Sequence, residues 1–312
     1  MAAINILDCT LRDGGYVNDF AFEDAHIFNI INQLQLSGVD IIECGFLDSL
    51  QGKAKNLTRF DRCETINNLL SKLPNDHNSL LVAMIEFGKV DIEHLPFVTD
   101  AKNEIKGIRL SFHKSDCLKI FEYATKIIDK GYKLFIQPIA TELYSDKELL
   151  ELIHRCNALA IDSMYIVDTH GSMMRDNLRR IYYLFQHNLN ESIRLGFHSH
   201  NNLQLSYSNA IDFIEISQGS QRDIILDASI YGMGRGAGNL NTELLADYIN
   251  KRIDNCYKIE PLLEVVDEYL VAISRENRWG YSLEHFLSAS EHCHPNYASY
   301  LINRKHLSIV EI

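Results

Sequence analysis

Residues 107–139 read GIRLSFHKSDCLKIFEYATKIIDKGYKLFIQPI and contain two kinds of apolar pattern. From Ile120 to Ile128, apolar residues recur at the three- and four-residue spacing of one helical face. The flanking runs, Gly107–Phe112 and Lys133–Ile139, are short and apolar, which is typical of strands. A strand, a helix and another strand in this order predict two parallel strands joined by a crossover helix.

This unit recurs along the chain. Strand-like runs occur at Ile4–Cys9, Val39–Phe46, Leu80–Glu86, Gly107–Phe112, Lys133–Ile139, Ser163–Asp168, Ile193–His200 and Asp223–Gly232. Helical patterns separate most of them, and Pro96 allows only a short or broken helix at 88–99. Eight such units predict an α/β (β/α)8 TIM barrel over residues 1–250, with a doubly wound open sheet as the alternative. We predict that residues 251–312 form a mainly helical extension packed on the barrel, with a helix at 259–275.

The composition excludes several classes of partner. The chain has 312 residues with 30 Lys and Arg against 42 Asp and Glu, a formal net charge of -12, which argues against nucleic acid or an anionic membrane. No apolar run approaches the roughly 20 residues of a membrane span, so we expect a cytoplasmic protein. The seven cysteines are scattered without a Cys-x-x-Cys pair, which predicts reduced thiols.

Two separate segments predict a metal site. TLRDG at residues 10–14 follows the first apolar run, and His198-Ser199-His200 closes the seventh. Residues two apart on a strand point to the same side, and odd-numbered barrel strands contribute to the same layer. Asp13, His198 and His200 therefore predict a divalent-metal site, whereas either segment alone would indicate only polar rim residues.

The predicted ligands indicate which ion and which chemistry to expect. One carboxylate and two imidazoles suit Mn²⁺, Mg²⁺, Fe²⁺, Co²⁺ or Zn²⁺, and the lack of a thiolate disfavours zinc. We expect Mn²⁺ or Mg²⁺, with Co²⁺ or Zn²⁺ as alternatives. Three protein ligands leave positions open for substrate oxygens. Arg12, next to Asp13, is suited to stabilise an enolate oxygen, with a surface salt bridge as the alternative.

A glycine-rich loop follows the eighth run and reads YGMGRGAGN at residues 231–239. Its spacing differs from Gly-x-Gly-x-x-Gly and it follows the last strand, so we do not expect NAD binding. The glycines would let the backbone approach a metal or substrate, with the Asn239 amide oxygen near the ion. A purely structural turn is the alternative.

Further polar residues lie at the ends of predicted strands, where barrel enzymes build their sites. Asp168-Thr169-His170-Gly171-Ser172 provides two hydroxyls and an imidazole, a set suited to holding a carboxylate or transferring a proton. Gln137 is a further candidate for substrate binding. Lys53, Lys55 and Arg59 are either a solvated face or a site for an anionic substrate group.

Together, the TLRDG segment, the His198-x-His200 pair and the loop ending at Asn239 resemble the DRE-TIM metallolyase superfamily. The resemblance implies a (β/α)8 barrel in which Asp13, His198 and His200 bind the metal and Asn239 is a fourth ligand. It also implies that Arg12 stabilises an enolate and that Glu43 orients Arg12. The residues that line the keto-acid pocket would be Asp168, Thr169 and Ser172.

Within the superfamily, the chain resembles 4-hydroxy-2-oxovalerate aldolases. Its loop lacks the cysteine of hydroxymethylglutaryl-CoA lyases, and its C-terminal region is shorter than in Claisen-type synthases. The resemblance implies a carbon–carbon lyase, a metal-dependent aldolase or retro-aldolase acting on a pyruvate-type α-keto acid and an aldehyde. We expect a homo-oligomer, whereas the sequence does not imply an acylating aldehyde dehydrogenase partner. The alternatives are an acyl-CoA condensing enzyme or lyase, and a catalytically degenerate barrel that acts as a scaffold.

The acid and base are the least determined residues. The segment Trp279-Gly280-Tyr281-Ser282 is similar to the one that supplies an active-site tyrosine in these aldolases. Gly14-Gly15-Tyr16 stands where they carry a catalytic histidine. We predict His170 as the base with Tyr16 or Tyr281 as the acid, and the reverse assignment stays open.

Overall fold

The computed structural model describes residues 2–49, 58–74 and 78–291. The strands are β1 Ile4–Asp8, β2 Ile41–Leu47, β3 Arg59–Phe60, β4 Leu80–Glu86, β5 Gly107–Phe112, β6 Lys133–Pro138, β7 Ser163–Asp168, β8 Arg194–Ser199 and β9 Ile224–Ala228. All their pairings are parallel, and β1 pairs with both β2 and β9, which closes the barrel. The short β3 only adds to β2. The predicted (β/α)8 TIM barrel is therefore confirmed, and the open sheet is wrong.

Helices surround this barrel. They are α1 Asp24–Ser37, α2 Cys63–Leu70, α3 Ile120–Asp129, α4 Asp146–Cys156, α5 Arg175–Asn188, α6 Ser206–Ser217 and α7 Thr242–Arg252. In α3, the residues Ile120, Ala124 and Ile127 are fully buried against the strands, as the apolar spacing predicts. The crossover between β4 and β5 contains only a 3-10 turn at Ile92–His94, in agreement with the helix-breaking effect of Pro96.

The C-terminal segment is helical and packs on the barrel. It contains α8 Glu260–Val265, a π-helical turn Val266–Leu270, α9 Val271–Glu276 and α10 Leu283–Ser290. The first three agree with the predicted helix at 259–275, and α8 packs against α1. Residues 292–312 of the predicted extension lie outside the described residues. In the part of the chain that is described, no helix is long and apolar enough to span a bilayer.

The barrel interior is filled by side chains rather than open. Leu7, Val82, Phe135 and Tyr165 belong to one buried cluster inside the strands. A Cβ atom on Gly196 would lie 2.3 Å from the Tyr165 ring, so the missing side chain at 196 makes room for the tyrosine. The interior therefore supports the polar residues above it at the C-terminal mouth.

The last strand is shorter than predicted. β9 ends at Ala228, and Ile230–Gly232 form a 3-10 turn in which Tyr231 has a φ of 58°. The apolar run continues beyond the strand because Ile230 and Met233 are buried beneath the loop rather than paired in the sheet. This early turn directs the glycine-rich loop across the mouth of the barrel.

Candidate active site

A cavity of about 460 Å³ lies at the C-terminal mouth of the barrel. We call it the active-site cavity. The predicted site residues that line it are Arg12, Asp13, Tyr16, Gln137, Thr169, His170, His198 and His200. Phe46, Met84, Glu86, Ser111, His113 and Arg235 line other parts of its wall. The fold thus brings together residues as far apart in the chain as Arg12 and Arg235.

The three predicted metal ligands meet at one end of this cavity. Nε2 of His198 lies 3.3 Å from Oδ2 of Asp13, and Nε2 of His200 lies 3.6 Å from Oδ1 of the same carboxylate. All three side chains are buried. Burial alone would raise the pKa of Asp13, but Arg12 and His200 hold it well below its usual range. One carboxylate therefore lies within 3.6 Å of two imidazole nitrogens, and both are donor types that bind divalent metals.

Hydrogen bonds orient both imidazole rings. Nδ1 of His198 lies 2.9 Å from Oδ2 of Asp227, and Nδ1 of His200 lies 3.1 Å from the backbone oxygen of Asp168. In both histidines Nδ1 makes this contact, and Nε2 therefore faces Asp13. Such outer contacts commonly orient metal-binding histidines. The role of Asp227 was not predicted from the sequence, although an acidic residue within an apolar strand could have indicated a buried polar contact.

Unpartnered polar atoms show that the site fits a cation. Oδ1 of Asp13, Nε2 of His200 and Oδ1 of Asn239 are buried without a hydrogen-bond partner. The Asn239 amide nitrogen lies 3.3 Å from the backbone oxygen of Met233, which turns the amide oxygen away from that contact. Buried polar atoms are rarely left unpaired, and these three are oxygen or imidazole donors suited to a divalent ion.

Cys9 is a neighbour of this group that sequence reasoning missed. Its sulfur, a carboxylate oxygen of Asp13 and a ring nitrogen of His198 lie within 4.8 Å of one another. The thiol donates to the backbone oxygen of Ala228 at 3.2 Å. Burial raises the pKa of Cys9 well above its usual range, so the sulfur is a neutral thiol when no cation is bound.

A buried network of alternating charges lies beneath the site. Arg12 donates to Glu43 and Asp13, each at 2.7 Å. Arg109 donates to the same oxygen of Glu43 at 2.8 Å and also pairs with Asp227. The contacts therefore form a continuous path. It leads from Arg12 to Glu43, then through Arg109 to Asp227, and from there to His198. Arg109 also escaped the sequence reasoning, and its position in an apolar strand was its only signal.

His170 and Glu142 form a histidine–carboxylate pair on the cavity wall. Nδ1 of His170 lies 2.6 Å from Oε1 of Glu142, and both side chains are buried. Glu142 belongs to the 3-10 turn Thr141–Leu143 that follows β6. No sequence motif marked Glu142, because its contact with His170 depends on the meeting of two strand ends.

Several predicted residues lie outside the cavity. The Asp168 carboxylate accepts the backbone N–H groups of Ser172 and Met173 at 3.0 and 3.1 Å, so it holds the turn after β7 rather than facing the cavity. Burial raises the pKa of Asp168 to about 7. Tyr281 does not line the cavity and is 58% exposed. Glu43 is buried behind Arg12 and accepts a hydrogen bond from it, so it does not face the cavity.

Of the basic residues predicted at 48–59, the structure describes Arg59. Lys53 and Lys55 lie outside the described residues. The Arg59 guanidinium stacks on Phe20, with 4.6 Å between its central carbon and the ring centroid.

Thr169 lines the cavity, and its hydroxyl accepts the backbone N–H of Ala140 at 2.8 Å.

An α/β barrel with convergent polar residues at its C-terminal mouth has the layout of a barrel enzyme. Residues 3–267 match the HMGL-like family, and the chain belongs to that family. This confirms the predicted resemblance to the DRE-TIM metallolyases.

Known relatives are lyases and aldolases. The chain is 24% identical over 277 residues to the 4-hydroxy-2-oxovalerate aldolase of Geobacillus thermodenitrificans, covering 87% of this chain and 78% of that protein. It is 24% identical over 247 residues to the oxaloacetate decarboxylase of Mycobacterium tuberculosis, covering 79% and 70%. The N-terminal domain of a proposed aldolase from Bacteroides vulgatus superposes with a TM-score of 0.79 at 22% identity, covering 98% of this chain and 99% of that one.

Proposed function

We propose that this protein is a divalent-metal-dependent aldolase or retro-aldolase that joins or cleaves an α-keto acid and an aldehyde. The observation that carries the proposal is the convergence of Asp13, His198 and His200 beside Arg12 in one cavity. Relatives named as an aldolase and a decarboxylase support a reaction at a keto acid.

Asp13, His198, His200 and Asn239 would hold the ion, with Mn²⁺ or Mg²⁺ preferred. Their unpartnered oxygen and nitrogen atoms support this assignment. The bound ion would supply Lewis-acid polarisation of the keto acid. Asp227 and the backbone oxygen of Asp168 keep both rings in the orientation that presents Nε2.

Arg12 stabilises the negative charge that develops on the enolate oxygen. Its guanidinium is held on two sides by Glu43 and Asp13, so it needs little reorganisation during the reaction. Glu43 is a positioning residue, because its carboxylate touches Arg12 and Arg109 but does not line the cavity.

His170 is the base that takes the hydroxyl proton of the substrate when the carbon–carbon bond breaks. Its contact with Glu142 occupies Nδ1 and leaves Nε2 for proton transfer. Tyr16 lines the same cavity and is the hydrogen-bonding acid in this scheme, in preference to the exposed Tyr281. Thr169 and Gln137 would contact the keto acid from the cavity wall.

The test is solvent deuterium exchange into the methyl group of pyruvate, in the presence of Mn²⁺ or Mg²⁺. Enolisation needs no aldehyde, so the assay does not depend on the unidentified acceptor. We expect exchange in the wild type and its suppression in Arg12→Ala with metal retained, because that change removes charge stabilisation and no ligand. Arg275→Ala, a change at an exposed residue outside the cavity, is the matched control.

Two outcomes would overturn the proposal. Exchange with acetyl-CoA but with no small keto acid would identify an acyl-CoA condensing enzyme or lyase. A metal-loaded protein that exchanges neither compound would be a catalytically degenerate barrel that acts as a scaffold.

A further inference from the structure

A second cavity of about 260 Å³ lies beside the active-site cavity. It is lined by the glycine-rich loop at 234–236 and by residues of the C-terminal segment, including Arg278, Trp279 and His285. We call it the anion cavity. Arg235 and Tyr16 line both cavities and therefore form the wall between them.

Two arginines of the anion cavity lack a counter-charge. Within residues 2–49, 58–74 and 78–291, neither Arg235 nor Arg278 forms an ion pair or a side-chain hydrogen bond, and Nε of Arg235 is buried without a partner. The Arg235 guanidinium lies over the Tyr16 ring, 5.1 Å from its centroid. No described Asp or Glu lines this cavity, although the chain carries 42 of them. Arginine donors without a carboxylate partner are suited to an oxyanion.

Backbone and histidine donors add to this set. The N–H groups of Gly234, Arg235 and Gly236 donate to no acceptor in the described part of the chain. Successive free N–H groups in a glycine-rich turn form a common anion-binding arrangement. His285 lines the same cavity, is only 8% exposed and has an unpartnered Nδ1.

We propose that the anion cavity binds a phosphate or carboxylate group carried by the aldehyde half of the substrate. The inference rests on the proposed function, because it names the substrate class of the same site. The keto acid would lie near Asp13 and His200, and the acceptor half would extend past Tyr16 to Arg235. A neutral aldehyde would leave the buried Nε of Arg235 without a partner.

Binding can be measured without catalysis. Trp279 is the single tryptophan of the chain and lines the anion cavity, so its fluorescence reports occupancy. We expect inorganic phosphate or acetate to change this fluorescence saturably. Arg278→Met, a change at an exposed side chain, should weaken binding about tenfold or more, because it removes charge-assisted hydrogen bonds. Arg275→Met removes the same charge outside the cavity and should leave the affinity unchanged. The absence of a saturable change with either anion would overturn the site.

Substrate preference tests the role of the site in the reaction. Condensation of pyruvate would be compared for propanal, succinic semialdehyde and glyceraldehyde 3-phosphate. We expect kcat/KM to be about tenfold or more higher for one of the two anionic aldehydes, with the better one identifying carboxylate or phosphate as the group. Arg235→Met and Arg278→Met should abolish the preference. Equal kcat/KM for all three aldehydes would overturn the substrate role.

The two proposals fail in distinguishable ways. A Trp279 response to phosphate without exchange of pyruvate or any other small keto acid would refute the aldolase and retain the anion site. Pyruvate exchange without any Trp279 response or aldehyde preference would refute the anion site and retain the enolisation chemistry.

Discussion

The buried carboxyl of Asp8 should make the protein less stable as pH rises through the weakly acidic range. Asp8 ends β1 and is 1% exposed. Its two oxygens accept hydrogen bonds from the backbone N–H of Thr10 at 2.9 Å and from the Thr242 hydroxyl at 2.6 Å. Burial outweighs these bonds and raises the pKa of Asp8 from 3.8 to about 6.

The sign and size of the effect follow from this pKa. A raised carboxyl pKa means that the folded state binds the proton more tightly than the unfolded chain. The resulting stability is fully present below pH 3.8 and is lost as pH rises through about 6. At about 1.4 kcal/mol per pKa unit, the difference corresponds to about 3 kcal/mol.

The test is Asp8→Asn, which retains the shape and both contacts. The amide oxygen can accept from Thr10, and the amide nitrogen can donate to the Thr242 hydroxyl. Urea unfolding at several pH values from 4 to 7 gives the free energy of unfolding of both proteins. We expect the variant to gain about 2 to 3 kcal/mol relative to the wild type across this range.

Asp212→Asn is the matched control with the opposite sign. Burial would raise the pKa of Asp212, but hydrogen bonds from Arg179 and Arg175 lower it. Its contribution to stability is therefore lost only as pH falls below 3.8, and the Asp212→Asn and wild-type curves should stay parallel from pH 4 to 7. If the curves of Asp8→Asn and wild type stay parallel from pH 4 to 7, the cost assigned to burying the Asp8 charge is wrong.

Three further predictions concern the site and its support. Asp13→Asn should lower the bound Mn²⁺ measured by elemental analysis while circular dichroism stays native, and undiminished metal would refute its role as ligand. Glu142→Gln should lower kcat about tenfold or more with KM little changed, because it weakens the contact that orients His170. Glu142→Asp should recover part of the rate. An unchanged kcat in Glu142→Gln would contradict the pairing of Glu142 with His170. Gly196→Ala should cost about 1–3 kcal/mol in urea unfolding because the new methyl overlaps the Tyr165 ring, and an unchanged midpoint would contradict the packing argument.

The sequence predicts the barrel well because its signals are local. Apolar spacing within residues 107–139 is enough to identify a strand, a helix and another strand, and the structure has β5, α3 and β6 there. Pro96 likewise marks the missing helix between β4 and β5. The end of β9 could not be predicted, since burial of Ile230 beneath the loop and pairing in the sheet require the same apolar residues.

The site was predicted where one segment carries a distinctive pattern. Asp13, His198 and His200 belong to such segments, and the structure brings them together. Glu142 and Asp227 act on histidines 28 and 29 positions away, and neither contact has a local signature. Asn239 shows the same limit, because only the packed loop determines which side of its amide is left unpartnered.

Asp168 links two parts of the site that could otherwise change independently. Its backbone oxygen contacts His200, and its carboxylate holds the turn that carries His170. A substitution that moved the end of β7 would alter the metal-side imidazole and the proposed base at once. Evolution of a new proton-transfer residue on this turn is therefore constrained by the need to keep His200 in place. New specificities could arise more freely at a position such as Met84, which lines the cavity from β4 and not from the end of β7.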